Sequence, residues 1–190
     1  MRFVAVDFET SGTDHQRNAP VSLGVALFED GEVLASREWL IGPPMHYKTG
    51  KITREYNIAA LEISRSTWPQ IRKAPAPAVV CEELAAWVRE HDARELTCVA
   101  FNAPFDLGWY CELLFLGGAW DFASKGFRRF RSPLVGPWQC AMMLAADRVA
   151  LSDYKLETVA SHFGLGRAGE GHGALEDAIL AGRVFWELVR

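Results

Sequence analysis

The feature that most limits how this chain can fold is the dipeptide Asp30-Gly31, which lies between two runs rich in strand-forming residues. The first run covers about residues 21–28, and the second covers about residues 33–41. A two-residue Asp-Gly connection between such runs is a strong local sign of a β-hairpin. The sequence therefore predicts two antiparallel strands joined by this turn.

The segments on either side of this hairpin predict a larger mixed sheet. An alternating run at residues 3–9 predicts a first strand, and short apolar runs at residues 96–101 and about 134–138 predict a fourth and a fifth. Apolar residues at helical spacing predict helices at about residues 59–68, 79–90, 102–116, 140–148, 153–163 and 174–189. Three strands in hairpin order, followed by alternating helices and strands, predict an α/β fold with a mixed five-stranded sheet flanked by helices.

Length and composition limit the class of protein. The chain has 190 residues, and about 150 residues is typical of one domain, so we expect residues 1–190 to form a single domain. Because the formal net charge is −4, a polyanionic partner would have to be held by a local basic patch or by metal ions. We expect no export signal and no membrane span. The four cysteines form no C-x-x-C pair and are expected to be buried free thiols of a cytoplasmic protein; they are Cys81, Cys98, Cys111 and Cys140.

Four acidic residues stand out because of where the predicted elements place them. Asp7 and Glu9 are two residues apart on the first strand, so both side chains project from one face of it. Asp106 falls in the first turn of the helix after the fourth strand, and Asp177 lies near the start of the last helix. Taken singly, these acids have ordinary explanations: a strand end that frays into solvent for the first two, and the helix dipole for the others.

The combined arrangement of these acids predicts a metal site. Strands one and four are expected to be neighbours at a switch in sheet topology, and ligands bind at the carboxyl ends of strands at such a point. Carboxylates about 6 Å apart repel one another by roughly 2–3 kcal/mol per pair, which over the cluster is comparable with the whole stability of a typical domain, about 5–15 kcal/mol. Such a cluster must take up protons or bind cations, and an all-oxygen set favours two Mg²⁺ or Mn²⁺ ions.

Three segments resemble the exonuclease motifs of the DnaQ-like (DEDDh) 3′-to-5′ exonucleases. They occur in the order of that family and are Val6-Asp7-Phe8-Glu9-Thr10-Ser11-Gly12, Phe101-Asn102-Ala103-Pro104-Phe105-Asp106 and His172-Gly173-Ala174-Leu175-Glu176-Asp177-Ala178. The histidine five residues before the last acid is similar to the DEDDh subclass. The resemblance covers residues 3–189, with a departure at Phe101, where many relatives carry a histidine, and a weak match over residues 45–77.

The resemblance implies a ribonuclease H-like fold and a two-metal hydrolysis of the terminal phosphodiester. By similarity, Asp7 would bridge both ions. Glu9 and Asp177 would hold the ion that binds the attacking water, and Asp106 would help to hold the ion that stabilises the leaving 3′ oxygen. His172 would accept the proton of the water, a role that suits an imidazole that titrates near neutrality. Taken alone, this histidine could equally be an exposed loop residue.

Further residues are candidates for substrate binding. By similarity, backbone groups around Thr10 would meet the terminal sugar and Phe105 would stack on or wedge beside a base, although core packing explains Phe105 equally well. The segment at about residues 122–131 interleaves basic and aromatic residues, which is typical either of single-stranded nucleic-acid binding or of a solvated hairpin. Its basic residues are Lys125, Arg128, Arg129 and Arg131.

The resulting hypothesis is a metal-dependent 3′-to-5′ exonuclease that acts on the 3′ end of single-stranded DNA or RNA and releases nucleoside 5′-monophosphates. The alternative is a nucleic-acid-binding or polymerase-associated module of the same fold with little activity of its own. The four acids and His172 favour the enzyme, since a binding module need not keep a repulsive carboxylate set. Because relatives include both dimers and polymerase-bound subunits, a homodimer and a polymerase partner both stay open, and no membrane partner is expected.

Overall fold

A mixed sheet with helices on both faces forms the framework of the protein. The computed structural model describes residues 1–46, 48–118, 120–122, 128–130, 132–167 and 173–190. The strands within these residues are β1 (Arg2–Thr10), β2 (Pro20–Glu29), β3 (Glu32–Leu40), β4 (Thr97–Ala100), β5 (Trp120–Phe122), β6 (Arg128–Phe130) and β7 (Trp138–Cys140). The helices are α1 (Ile58–Ile63), α2 (Trp68–Ile71), α3 (Pro77–Glu90), α4 (Ala103–Leu116), α5 (Ala141–Arg148), α6 (Leu156–His162) and α7 (Ala174–Val189).

The main sheet has five strands in the order β3-β2-β1-β4-β7, and β5 pairs antiparallel with β6 in a separate two-stranded sheet. β1 pairs antiparallel with β2 and parallel with β4, which in turn pairs parallel with β7. The predicted mixed five-stranded sheet and the predicted pairing of strands one and four are therefore confirmed. The carboxyl ends of β1, β4 and β7 share one edge of the sheet, which we call the acid edge because Asp7 and Glu9 lie there.

The predicted turn between β2 and β3 is also confirmed. Asp30 and Gly31 both have positive φ angles, 50° and 90°, as the preferred two-residue hairpin turn requires. A Cβ atom on Gly31 would lie 2.5 Å from Nε1 of Trp186. Glycine is therefore needed here both for the backbone conformation and for the close approach of α7.

The two faces of β1 belong to different cores. Val4, Val6 and Phe8 pack into the core that includes apolar side chains of α3 and α4. Phe3 and Ala5 pack into the core formed with α5, α6 and α7. Because side chains alternate along a strand, the two acids of the first motif continue the second face, which is the face covered by α7.

The fifth strand begins later than the sequence predicts. The prediction is residues 134–138, but β7 spans Trp138–Cys140. Pro137 carries no N–H to donate to a β ladder, and the N–H of Val135 bonds instead to the carbonyl of Arg94 at 2.8 Å. The parallel ladder therefore starts only after the proline.

Three smaller features complete the comparison with the sequence. The helix expected at about residues 59–68 is divided into the short helices α1 and α2. All four cysteines are free, but only Cys81 and Cys98 are buried; Cys111 is exposed and Cys140 is partly exposed, so the expectation of buried thiols is wrong at these two positions. None of the helices in the described part of the chain is both long and apolar enough to cross a membrane.

Candidate active site at the acid edge

Three carboxylates meet at the carboxyl end of β1. One oxygen atom from each of Asp7, Glu9 and Asp177 lies within 4.8 Å of the other two. The first two come from the end of β1, and Asp177 comes from the first turn of α7. Mg²⁺ binds oxygen atoms at about 2.1 Å in an octahedron, so its ligand atoms lie about 3.0 Å apart when adjacent and about 4.2 Å apart when opposite. The three carboxylates would have to move closer together to share one ion, as binding of a cation would favour.

Asp106 reaches the same site from the first turn of α4. Its Oδ1 accepts a hydrogen bond from the backbone N–H of Phe8 at 3.1 Å, between the two strand acids. The side chain is buried, and its charge has the largest effect of any neighbouring charge on the pKa of Asp7. The structure therefore brings all four predicted acids to one end of the sheet.

A glycine in β2 allows α7 to approach the sheet at this point. Gly24 pairs with Asp7 in the β1–β2 ladder. A Cβ atom on Gly24 would lie 2.3 Å from the backbone of Ala174 and Leu175, so any larger residue would push the helix away. This contact holds the first turn of α7 over the sheet and carries Asp177 to the end of β1.

A fifth carboxylate, Glu38, lies next to the cluster. It pairs with Gly24 in the β2–β3 ladder, and it accepts hydrogen bonds from the backbone N–H groups of Ala174 and Leu175. These N–H groups belong to the first turn of α7 and have no partner within the helix. Glu38 therefore anchors the start of α7, and its charge contributes to the raised pKa of Glu9.

The electrostatics of the cluster follow from burial and from mutual repulsion. Burial raises the pKa of Asp7 well above its usual range, and the charges of Asp106 and Asp177 raise it further. Burial, followed by the charge of Asp177, raises the pKa of Glu9 to about 7. Burial also raises the pKa of Asp106 to about 8, although the hydrogen bond from Phe8 lowers it. Without a bound cation, the cluster therefore keeps protons near neutral pH.

Arg167 contributes a positive charge that the sequence analysis missed. Its Nε and Nη2 donate to the two oxygens of Asp177 at 2.6 and 3.0 Å, and its Nη1 lies 2.8 Å from Glu157 Oε1. The arginine side chain is only 13% exposed. Its charge lowers the pKa values of Asp7 and Glu9. Arg167 lies in irregular chain between α6 and α7, where no periodic spacing could have indicated its position.

The structure does not test the roles predicted for the histidine of the third motif and for the basic residues at about 122–131. His172, Lys125 and Arg131 lie outside the described residues. Arg128 and Arg129 lie on β6, in the hairpin with β5. The roles assigned to all five stay predictions.

Thr10 and Phe105 lie close to the acids along the chain. Thr10 is the last residue of β1, and its hydroxyl donates to the carbonyl of Gly12 at 2.8 Å. The ring of Phe105 lies near the rings of His15 and Trp109, with centroid distances of 6.2 and 6.0 Å. Phe105 packs against the core and is partly exposed, so both core packing and contact with a base stay open for it.

The fold is ribonuclease H-like and is similar to that of several solved 3′-exonucleases. The nuclease domain of 3′hExo, a DEDDh family member solved with bound rAMP, superimposes with a TM-score of 0.75 and 14% identity over 99% of this chain and 91% of that chain. Exonuclease X, solved with duplex DNA carrying a 5′ overhang, superimposes with a TM-score of 0.64 and 19% identity. The superposition covers 98% of this chain and 90% of that chain. Exonuclease I superimposes with a TM-score of 0.71 and 14% identity over 96% of this chain and 40% of that chain. These similarities confirm the predicted fold.

Sequence comparison finds similarity to a short part of two DNA polymerases. The PolC-type DNA polymerases III of Thermotoga petrophila and Thermotoga maritima are each 25% identical over 191 aligned residues, which cover 98% of this chain. The chain spans only 12% of the length of these polymerases. No protein-family model matches the chain. The resemblance to DnaQ-like exonucleases seen in the three motifs is thus confirmed.

Proposed function

We propose that this protein is a metal-dependent 3′-to-5′ exonuclease that hydrolyses the terminal phosphodiester of DNA or RNA and releases nucleoside 5′-monophosphates. The observation that carries the proposal is the convergence of Asp7, Glu9, Asp106 and Asp177 at the acid edge. Four acids in one partly buried site cost stability unless a cation neutralises them. The fold shared with 3′-exonucleases supports this function, and we propose residues 1–190 as one exonuclease domain.

The donor set at the acid edge fits hard divalent cations. Every candidate ligand is a carboxylate oxygen, which suits Mg²⁺ or Mn²⁺ better than zinc. We propose that Asp7 would help to hold both ions: its carboxylate lies within 4.8 Å of those of Glu9 and Asp177, and the charge of Asp106 raises its pKa. Two such ions, when bound, would activate a water molecule and stabilise the negative charge on the leaving 3′ oxygen.

The other side chains of the site have separate proposed roles in metal binding, proton transfer and substrate binding. Glu9 and Asp177 would hold one ion, and Asp106, whose Oδ1 accepts a hydrogen bond from the N–H of Phe8, would help to hold the other. His172 takes the proton from the attacking water, as its spacing from Asp177 in the third motif suggests. The substrate is the 3′ end of single-stranded DNA or RNA, with Thr10 near the terminal sugar and Phe105 near a base. The basic side chains of the β5–β6 region contact the strand.

The direct test is incubation of 5′-labelled single-stranded DNA and RNA with the protein in Mg²⁺ or Mn²⁺. A ladder that shortens from the 3′ end, disappears with chelator and is absent for Asp7→Asn is expected. Asp147→Asn, an exposed acid on α5, is the matched control and should keep the ladder. Full activity of Asp7→Asn or in excess chelator would contradict the proposal.

The second candidate is a polymerase-associated module with little activity of its own. The similarity to a short part of PolC-type polymerases favours it. Its expected result is stable binding of single-stranded nucleic acid without any ladder in Mg²⁺ or Mn²⁺. Detection of the ladder in the same assay would exclude it.

A further inference from the structure

A groove lies beyond the end of β3, outside the acid cluster. Its volume is about 580 Å³, and Met45, Lys51, Ile52, Trp68 and Arg72 contribute to its walls. We call it the basic groove. None of the roles proposed above uses it.

The basic groove lies beside the acid edge of the sheet, because its lining begins just after the end of β3. Leu40, at the end of β3, pairs with Ser22 of β2, which pairs with Glu9 of β1. Neighbouring strands are about 4.8 Å apart, so the end of β3 lies about 10 Å from the end of β1. The chain that forms the groove is also tied to the site, because Asn57 N–H donates to the carbonyl of Ser11 at 3.0 Å.

The charge of this segment is opposite to that of the rest of the chain. Residues 42–76 contain six basic and two acidic side chains, although the whole chain has a net charge of −4. Arg54 is engaged by Glu112 and is not available to a ligand. Lys51 and Arg72 are exposed, and no acid in the described part of the chain forms an ion pair with either.

The groove also offers apolar and aromatic surface beside these cations. Met45 and Ile52 are 55% and 39% exposed and add apolar surface to the wall of the groove. Trp68 is partly exposed, and its ring lies 4.9 Å from that of Tyr56. Cations that attract a phosphate backbone, together with ring faces on which bases stack, are what proteins use to hold single strands.

We propose that the basic groove binds the single-stranded part of the substrate that lies upstream of the terminal nucleotide. This inference rests on the proposed function, because that function identifies the strand as a substrate for cleavage. Binding of a single strand to the groove can be measured without cleavage. The terminal phosphodiester lies at the acid cluster, and the strand then crosses the ends of β2 and β3 to reach Lys51, Trp68 and Arg72. Strands long enough to occupy both places bind more tightly than shorter ones.

The test is equilibrium binding of a 5′-fluorescein-labelled 12-nucleotide single strand, measured by anisotropy at several salt concentrations. All proteins carry Asp7→Asn to prevent cleavage. The double variant Lys51→Glu/Arg72→Glu should lose at least tenfold in affinity. The slope of log binding constant against log salt concentration should become shallower by about 1.4, because each lost phosphate contact to a single strand changes the slope by about 0.7. Trp68→Leu, which keeps an apolar side chain but removes the ring, should lose about fivefold or more.

The matched control reverses two arginines at the opposite end of the molecule. Arg89 lies near the end of α3 and Arg190 follows α7, so Arg89→Glu/Arg190→Glu changes the net charge equally without touching the groove. The proposal would be overturned if both double variants lost affinity equally. It would also be overturned if Lys51→Glu/Arg72→Glu kept the native affinity and salt slope, and a protein partner would then be the alternative occupant of the groove.

The outcome is separable from that of the cleavage assay. If the native protein produces no ladder but the groove variants still lose binding, the exonuclease proposal fails and the groove proposal stands. If the native protein produces the ladder and the groove variants bind as tightly as the control, the groove proposal alone fails.

Discussion

Arg167 lies inside a cluster of carboxylates that we propose as cation ligands. Its guanidinium holds both oxygens of Asp177, at 2.6 and 3.0 Å. This pair neutralises part of the charge of the metal-free site, and it also orients Asp177 towards the end of β1. The same positive charge must repel a divalent ion that binds to Asp177. Arg167 is therefore a positioning residue whose effects on the free protein and on the metal-bound protein have opposite sign.

Replacement of Arg167 by Gln should separate these two effects. In chelator, Arg167→Gln should lower the melting temperature, because Asp177 and its neighbours lose a buried counter-charge. Affinity for Mn²⁺, measured by calorimetry, should rise on the order of tenfold, which corresponds to 1.4 kcal/mol less repulsion.

Arg190→Gln is the control for this prediction, since Arg190 pairs with Glu187 at the far end of α7. It should change neither quantity. Weaker Mn²⁺ binding by Arg167→Gln would mean that the orientation of Asp177 matters more than the repulsion.

His172 carries the proposed proton transfer. His172→Ala should lower turnover by about 10² or more, as is usual for the loss of a general base. Metal affinity should stay near the native value, because the proposal makes none of the metal ligands a histidine. His162→Ala, at the end of α6, is the control and should keep native turnover. A native rate and pH profile in His172→Ala would remove this residue from the mechanism.

Helix α7 brings one ligand to the site, and two features of neighbouring strands determine where it lies. Gly24 leaves room for the helix backbone, and Glu38 accepts hydrogen bonds from the N–H groups of its first turn. Neither residue is proposed to contact a metal ion or the substrate. Both nevertheless decide whether Asp177 reaches Asp7 and Glu9.

Enlargement of Gly24 should therefore damage the site without removing any ligand. In Gly24→Val, the new side chain must displace Ala174 and Leu175, and overpacking of this kind costs about 1–3 kcal/mol of stability. The rise in melting temperature on addition of Mn²⁺ should be lost, while the circular dichroism of the fold is kept. Gly166→Ala is the control, because within the described residues, its chain neighbours aside, no atom lies within 4 Å of its Cβ position. A native Mn²⁺ response in Gly24→Val would show that α7 does not depend on this contact.

The clustered acids couple the stability of the protein to pH. The folded protein holds protons on Asp7, Glu9 and Asp106 at pH values where the unfolded chain has released them, since their pKa values are raised. Unfolding then releases protons, so the free energy of unfolding falls as pH rises from about 4, the ordinary pKa of these groups, to about 8.

We accordingly expect the melting temperature in chelator to fall steadily between pH 5 and pH 8. Asp7→Asn should flatten this fall, because it removes the acid at the centre of the cluster. Mg²⁺ or Mn²⁺ should restore stability most strongly at the upper end of this range. The control Asp147→Asn should follow the native curve. A melting temperature that is constant or rises over the range in chelator would contradict the charge coupling.

Local patterns in the sequence were sufficient to predict much of the framework. The Asp30-Gly31 turn, the alternation along β1 and the periodicity of α7 each depend on residues that are neighbours in the chain. Asp7, Glu9, Asp106 and Asp177 could be selected because strand ends and helix starts can be located from these patterns. The parallel pairing of β1 with β4 then brings Asp106 to the two acids of β1, whereas Asp177 reaches them through the packing of α7 against β2 and β3.

Tertiary structure decided the surroundings of these acids. A two-residue turn alone would pair Gly24 with Arg37, but a register shift between Leu27 and Phe28 brings Glu38 opposite Gly24 instead. Arg167 reaches Asp177 from irregular chain. A β-bulge and a loop have no periodic signal, because their geometry depends on contacts between distant segments. The sequence thus determines which groups can bind metal, whereas packing determines which charges and backbone groups surround them.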